Sequence, residues 1–190
     1  TGKTTLLRQF SYNVQRIVSN GTYLDRVKKT KYIGIYFRVD KPLLQSLARL
    51  GMSSSIPDFE EKIFTHYLEL TIFKEYLEIL KILTNDATIS LGDNRYKLIL
   101  SIMKDLIGLS KNDKIETIDD LLRYVIGEIN YIWQYQSDKA IDIDDSVKFA
   151  PKSNLILQGR LSDEFCNTEI LKILEIEDVS FLLMLDEFES

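Results

Sequence analysis

The stretch FLLMLDEFES (residues 181–190) indicates the fold class of the chain. Its five apolar residues form a run too short for a surface helix, and they end directly at Asp186 and Glu187. A second run of this type, YIGIYFRVD (32–40), predicts a strand that is buried on both faces. Such strands are typical of parallel sheets covered by helices, so we predict an α/β fold. The two acids then lie at the carboxyl edge of the sheet, where open α/β folds bind ligands.

The first residues, TGKTT (1–5), match the end of the phosphate-binding loop pattern G-x-x-x-x-G-K-[ST]. The first glycine of the pattern is absent, so we expect the chain to be a fragment that begins inside the loop. Apolar residues at helical spacing follow, and they predict a helix that ends at 19–21: Leu6, Leu7, Phe10, Val14, Ile17 and Val18. A helix N-terminus at this point would offer backbone N–H groups and a positive dipole to a phosphate.

Helical patterns fill most of the region between the two strands: 43–50, 57–83, 95–109, 117–135 and, more briefly, 163–174. The polar and acidic stretch 138–153 predicts a loop. We therefore predict one partial domain over 1–190, in which 42–175 form a mostly helical insertion or subdomain.

Composition narrows the classes of function. A net charge of −5 argues against a strong nucleic-acid surface within this stretch, because such surfaces cluster Lys and Arg. A single cysteine excludes an internal disulfide and fits a reducing cytoplasm, where we expect the protein to reside. The most apolar long segment, 63–83, carries five Glu and Lys residues, so we expect no membrane span.

The motifs together resemble P-loop ATPases with an added catalytic glutamate, and within this class the AAA and STAND ATPases. The stretches 1–12, 34–40 and 181–190 are also similar to bacterial ATPases related to origin-recognition AAA proteins. The resemblance implies the parallel sheet of a P-loop NTPase, here without its first strand. It also implies a fragment that runs from the middle of the Walker A motif, at 1–5, to just past the Walker B motif, within 181–190. Compact AAA proteins have far fewer residues between these strands than the 140 of 41–180, which predicts a large helical insertion before the Walker B strand.

The resemblance implies that five consecutive residues bind ATP: Thr1, Gly2, Lys3, Thr4 and Thr5. In this family pattern, Gly2 lets the backbone approach the phosphates and Lys3 reaches the β- and γ-phosphates. Thr5 would contact the α-phosphate. The choice of adenine over guanine follows from the resemblance alone.

The resemblance also implies a magnesium site and a catalytic base. Thr4 would ligate Mg²⁺, and Asp186 would hold the shell of the metal. Glu187 matches the general base that orients the attacking water, and Lys3 would take part in catalysis as well as in binding. The 190 residues alone are expected to bind ATP weakly or not at all and to be inactive, because the sheet would lack the strand that carries the loop.

Three functions agree with these residues. The first is an ATPase that couples hydrolysis to work on DNA or a protein partner, through regions outside the fragment and with oligomerisation allowed. The second is a STAND-type switch, in which slow hydrolysis lets bound nucleotide control assembly or signalling. The third is a helical interaction module with a vestigial site, which the intact Lys3, Thr4, Asp186 and Glu187 argue against.

Other candidate residues have ordinary structural explanations. His66 has no second histidine or cysteine nearby to complete a metal site, and Cys166 is expected to pack within a helix. The acids Asp142, Asp144 and Asp145 lack the glycine and the glutamate of a calcium loop, so a solvated loop is expected.

Charged residues flank the first strand on both sides. Arg38 and Asp40 share a face near its carboxyl end, where either a functional role or a local ion pair would explain them. The basic residues before the strand predict a solvated loop: Arg26, Lys28, Lys29 and Lys31. Within the predicted helix 57–83, three apolar residues lie outside the apolar face that helical spacing defines: Phe73, Leu77 and Ile82. They suggest a helix buried on two sides or a surface for a partner.

Overall fold

The computed structural model describes residues 2–18, 21–38, 42, 45, 59–109, 113–139 and 160–186. The helices of this part of the chain are α1 (Gly2–Gln9), α2 (Tyr12–Val18), α3 (Tyr23–Thr30), α4 (Phe59–Thr84), α5 (Asp93–Leu106), α6 (Ile118–Lys139), α7 (Arg160–Asn167) and α8 (Glu169–Ile173). The strands are β1 (Tyr32–Arg38) and β2 (Ser180–Asp186). Across the described ranges, no helix combines the length and the apolar character that a membrane span needs.

The two strands are neighbours in one sheet, and they are parallel, as their sequences predict. Tyr32 lies opposite Ser180 at one end of the pairing, and Arg38 lies opposite Asp186 at the other. The acidic end of β2 and the carboxyl end of β1 therefore meet at the same edge. This mixture of helices with a parallel strand pair agrees with the predicted α/β class.

The two strands differ in burial. Three consecutive residues of β1, Ile33, Gly34 and Ile35, are buried. Both faces of β1 are therefore covered, as predicted. The prediction of a fully buried β2 is wrong at its centre, because Leu182 and Leu183 are each 41% exposed. Successive strand residues face opposite sides, so β2 is accessible on both faces. Among the described residues, β2 pairs with β1 alone.

The first predicted helix is interrupted and forms two helices, α1 and α2. At the junction, the Phe10 N–H donates to the Leu7 carbonyl (3.1 Å) and the Ser11 N–H donates to the Arg8 carbonyl (3.0 Å). The Ser11 hydroxyl also donates to the Arg8 carbonyl at 2.7 Å. These tight bonds replace the regular helical ladder, because serine competes for nearby backbone groups.

The basic stretch before β1 is a helix, so the predicted solvated loop is wrong. Thr22 and Asp25 form a capping box at the start of α3, and Lys31 ends the helix in the left-handed region with φ 62°. The helix buries three apolar residues and exposes two of its basic ones, Lys28 and Lys29. The lysines are a solvated face of an amphipathic helix.

The other helical predictions are confirmed with shifted ends. Helices α4, α5 and α6 lie on the three patterns predicted at 57–83, 95–109 and 117–135. The pattern at 163–174 forms α7 and α8, separated by Thr168 in the left-handed region (φ 49°). The predicted helix 43–50 lies outside the described residues apart from position 45, and the predicted loop 138–153 lies outside them apart from 138 and 139.

Helix α4 joins the sheet to the helical region. It contacts β1 and also packs along α6, and its off-stripe residues Phe73 and Leu77 are fully buried. Burial on two sides is therefore confirmed for these two residues, whereas Ile82, the third residue of the prediction, is half-buried. Apolar residues of β1, α4, α5 and α6 belong to one continuous core. The division of the chain at 42–175 stays a prediction.

An aromatic cluster links α4, α7 and β2. The ring centroids of Tyr76, Phe165 and Phe181 lie 4.8 to 5.2 Å apart. The Tyr76 hydroxyl donates to the buried Glu164 carboxylate at 3.0 Å. This cluster holds the amino end of β2 against the helices.

Candidate functional site

The two ends of the described chain meet at the carboxyl edge of the sheet. Thr4 lies in the first turn of α1, and Asp186 is the last residue of β2. The Thr4 hydroxyl donates to Asp186 Oδ1 at 3.3 Å across 182 positions of sequence. Two residues to which the family resemblance gives a magnesium-binding role are therefore direct neighbours.

A third side chain completes this contact. The Tyr36 hydroxyl donates to Asp186 Oδ2 at 2.6 Å. Because Arg38 lies opposite Asp186, Tyr36 is a diagonal neighbour of the carboxylate on the same face of the sheet. The two carboxylate oxygens of Asp186 therefore accept hydroxyl hydrogen bonds from two different elements, α1 and β1.

Asp186 is buried, and a cationic side chain, that of Arg8, lies beside Tyr36. Asp186 is only 5% exposed, and the Arg8 guanidinium lies 5.6 Å from the centroid of the Tyr36 ring. Burial raises the pKa of Tyr36, and so does its hydrogen bond to Asp186, whereas Arg8 opposes both. Tyr36 therefore keeps its proton at neutral pH and acts as the donor toward Asp186.

The first turn of α1 is open to solvent. Gly2, Lys3 and Thr5 are exposed, and no side chain of α1 is buried. A Cβ placed on Gly2 would meet no atom within 4 Å. The backbone N–H groups of a helix's first turn have no partner inside the helix, so this surface suits an anionic ligand.

The chemistry of the donors agrees with the predicted magnesium ion. Mg²⁺ prefers oxygen ligands and is usually held by one or two carboxylates together with substrate phosphates and water. Thr4 and Asp186 supply a hydroxyl and a carboxylate of this kind. Among the described residues, no group of three or more His, Cys, Asp and Glu side chains could hold a metal ion.

The structure describes only some of the residues that the sequence singled out. Thr1 and Glu187 lie outside the described residues, and so do Asp40 and the three acids of 142–145. The side chain of Cys166 also lies outside them. The roles assigned to Thr1 and Glu187 stay predictions.

Two other candidates have visible positions. Arg38 is exposed at the carboxyl end of β1, opposite Asp186 in the strand pairing. His66 is 2% exposed within the core, where burial lowers its pKa and the nearby Glu128 opposes this shift. The structural role predicted for His66 agrees with this burial.

Sequence reasoning missed Tyr36 and Arg8. The period-two alternation of a strand puts Tyr36 on the face of Arg38, so a polar group toward the ligand edge was visible in the sequence. Its distance to Asp186 depends on the pairing register between the strands, which no local pattern reports.

Comparison with known proteins identifies the family. A family model described as ORC-CDC6-like matches residues 1–190, the whole of the sequence. Neither the curated proteins nor the solved structures include a significant match. The family match agrees with the resemblance of the three motif stretches to origin-recognition-like AAA ATPases. The chain therefore belongs to the ORC-CDC6-like family.

Proposed function

We propose that this chain contributes the magnesium-nucleotide site of a P-loop ATPase that hydrolyses ATP. The observation that carries the proposal is the hydrogen bond between Thr4 and Asp186. A hydroxyl in the first turn of a helix beside a buried carboxylate at a strand end is the pair that a phosphate-bound magnesium ion requires. Membership of an ORC-CDC6-like family supports the same activity.

The first turn of α1 would bind the triphosphate. Its exposed N–H groups and positive dipole attract the phosphates, and Gly2 leaves the backbone accessible to them. The ammonium of Lys3 would neutralise the β- and γ-phosphates. Thr1 and Thr5 would complete the contacts along the phosphate chain.

The carboxyl edge of the sheet would carry the metal and the chemistry. Thr4 and Asp186 would hold Mg²⁺ at this edge, where the metal would supply neutralisation of the charge on the phosphates. Thr4 would offer its hydroxyl oxygen to the metal while Asp186 accepts hydrogen bonds from its waters. Glu187 would take a proton from the water that attacks the γ-phosphorus, as the bond to the bridging oxygen breaks and ADP leaves.

The hydrolysis would be coupled to work on DNA or on a protein partner. The net charge of −5 favours placing any DNA-binding surface outside these 190 residues. A DNA-stimulated turnover in the full-length protein would therefore report coupling between this site and another region.

The test is ATP turnover and ATP binding by the full-length protein with Glu187→Gln and with Lys3→Ala, each with and without DNA. Glu187→Gln is expected to lower turnover by about a hundredfold or more while binding is kept, because a general base is lost. Lys3→Ala is expected to weaken ATP binding by about tenfold or more, because a charge-assisted hydrogen bond is lost.

Lys29→Ala is the matched control for Lys3→Ala. Lys29 is an exposed lysine of α3, which leads into the amino end of β1, the opposite edge of the sheet. It should leave binding and turnover unchanged. Tight ATP binding with negligible turnover under every condition would favour the nucleotide switch, and a wild-type protein that binds no ATP would refute the proposal.

A further inference from the structure

Asp186 is a buried carboxylate whose two oxygens accept different hydroxyls. Thr4 donates to Oδ1 at 3.3 Å, and Tyr36 donates to Oδ2 at 2.6 Å. The tyrosine bond is the shorter of the two and lies in the range of strong hydrogen bonds to a charged oxygen. The proposed function gives Thr4 a second task at the metal, whereas it gives Tyr36 none.

A carboxylate held at only one oxygen can rotate about its terminal torsion, which is broad and nearly two-fold. The second hydrogen bond, from a different strand, restricts that rotation. Because β1 and β2 are paired in register up to Arg38 and Asp186, the phenol and the carboxylate are carried by one rigid sheet edge. Thr4 approaches the same group from α1, on the side where phosphates would bind.

The Tyr36 ring is itself restrained. The Arg8 guanidinium lies over it at 5.6 Å from the centroid, within the range of a cation–π contact. Arg8 lies about one turn after Thr4 on α1. The same helix therefore contacts both the Asp186 carboxylate and the Tyr36 ring. Tyr36 is thus connected to both halves of the site.

We propose that Tyr36 is a positioning residue for the divalent metal, and that its hydroxyl orients the Asp186 carboxylate toward the metal's water shell. The inference rests on the proposed function, because it assigns a task at the same site. Groups that orient a metal-binding carboxylate commonly contribute tenfold or more to metal affinity. In this role Tyr36 acts on the metal through Asp186.

The test measures metal affinity directly, apart from turnover. Mn²⁺ replaces Mg²⁺ as a paramagnetic probe, and electron paramagnetic resonance follows free Mn²⁺ during titration of the full-length protein saturated with a non-hydrolysable ATP analogue. Tyr36→Phe removes the hydroxyl alone and keeps the ring under Arg8. It is expected to raise the Mn²⁺ dissociation constant about tenfold, while metal-free binding of the analogue is unchanged.

Tyr32→Phe is the matched control. Tyr32 lies four residues before Tyr36 on β1, and its side chain is on the same face of the sheet. Its hydroxyl accepts a hydrogen bond from Gln15 Nε2 at 3.2 Å and so lies away from Asp186. Its loss should leave the Mn²⁺ dissociation constant at the wild-type value. If Tyr36→Phe also has the wild-type value, Tyr36 only packs against Asp186 and the inference is wrong while the proposed function stands.

Two further outcomes of the Mn²⁺ titration have distinct meanings. A wild-type protein with no analogue-dependent Mn²⁺ binding would refute both the proposed function and this inference. If Tyr36→Phe does not fold, Arg8→Ala becomes the test, because the Arg8 side chain is exposed and its removal opens no core. An increase of about threefold in the Mn²⁺ dissociation constant is then expected, and an unchanged constant would overturn the inference.

Discussion

Two buried carboxylates of this protein accept hydrogen bonds from tyrosine hydroxyls but lie in different surroundings. Asp186 is at the sheet edge, between Tyr36 and the first turn of α1. Glu164 lies among the helices, where Oε1 accepts from the Tyr76 hydroxyl at 3.0 Å and from the Ile170 N–H at 3.2 Å. Only Asp186 adjoins a solvent-open helix N-terminus, so Glu164 is a structural group.

Glu164 is expected to make the free energy of unfolding depend on pH. Burial raises its pKa, although its bonds to Ile170 and Tyr76 oppose the shift. Between the ordinary pKa of the unfolded chain and the raised folded value, the folded state holds more protons. The free energy of unfolding should therefore fall as pH rises through this window. Urea unfolding of Glu164→Gln across pH 4 to 8 should show a flatter profile than wild type.

Glu177→Gln is the control for this measurement. Glu177 is exposed between α8 and β2, so the variant removes the same charge from a solvated position. It should keep the wild-type decline with rising pH. Identical profiles for the two variants would show that burial of Glu164 does not cause the pH dependence.

At the scale of secondary-structure elements, Gly34 decides how the helices cross the sheet. A Cβ at position 34 would lie 1.9 Å from the carbonyl oxygen of Phe10, at the junction of α1 and α2. The backbone of the junction thus rests directly on β1. This close approach places the first turn of α1 beside Asp186, and it explains a glycine within an otherwise apolar strand.

Gly34→Ala is therefore expected to destabilise the protein and to displace α1. The obstructing atoms are backbone, including the Phe10 carbonyl carbon at 2.8 Å, so no side-chain rotation relieves the overlap. We expect a loss of about 3 kcal/mol in the free energy of unfolding and weaker ATP binding than in the wild-type protein. Urea unfolding and nucleotide titration of the full-length protein measure the two effects.

Gly127→Ala provides the comparison for Gly34→Ala. Gly127 is exposed within α6, and a Cβ there would meet no atom within 4 Å. Alanine should be neutral or stabilising by up to about 1 kcal/mol, because it favours a helix interior. If Gly34→Ala behaved like Gly127→Ala, the close crossing of the junction over β1 would be refuted.

At the scale of the whole molecule, the sheet and the helical region share one core. Buried residues of β1, α4, α5 and α6 form a continuous cluster, and α4 contacts both β1 and α6. A shared core transmits a defect in α4 to both sides. The helices between the strands should therefore unfold together with the sheet.

Phe73→Ala tests this coupling, since Phe73 is fully buried on α4. Its loss should lower the stability by about 3 kcal/mol or more. Hydrogen exchange of the full-length protein should then show reduced protection in both β1 and α6. Leu98→Ala on α5, where Leu98 is 51% exposed, should change neither segment. Reduced protection in α6 with unchanged β1 would instead indicate a helical region that unfolds separately.

Much of this architecture could be predicted locally. The strands follow from continuous apolar runs, and α4, α5 and α6 follow from helical spacing, because each pattern is read within one element. The sequence also contained the capping box of α3, formed by Thr22 and Asp25. The stretch was predicted as a loop because its lysines were weighed more heavily than the apolar residues Tyr23, Leu24 and Val27, which α3 buries. The resemblance of the two motifs to P-loop ATPases paired Thr4 with Asp186 as candidates for one site.

The sequence alone could not predict the contacts of Tyr36, Arg8 and Gly34. The Tyr36 bond to Asp186 spans 150 positions and depends on the strand register, and the space above Gly34 depends on where Phe10 crosses β1. Local periodicity specifies which residues face a sheet or a core. The separation of atoms from distant parts of the chain arises only when the elements pack, because packing sets register and crossing together.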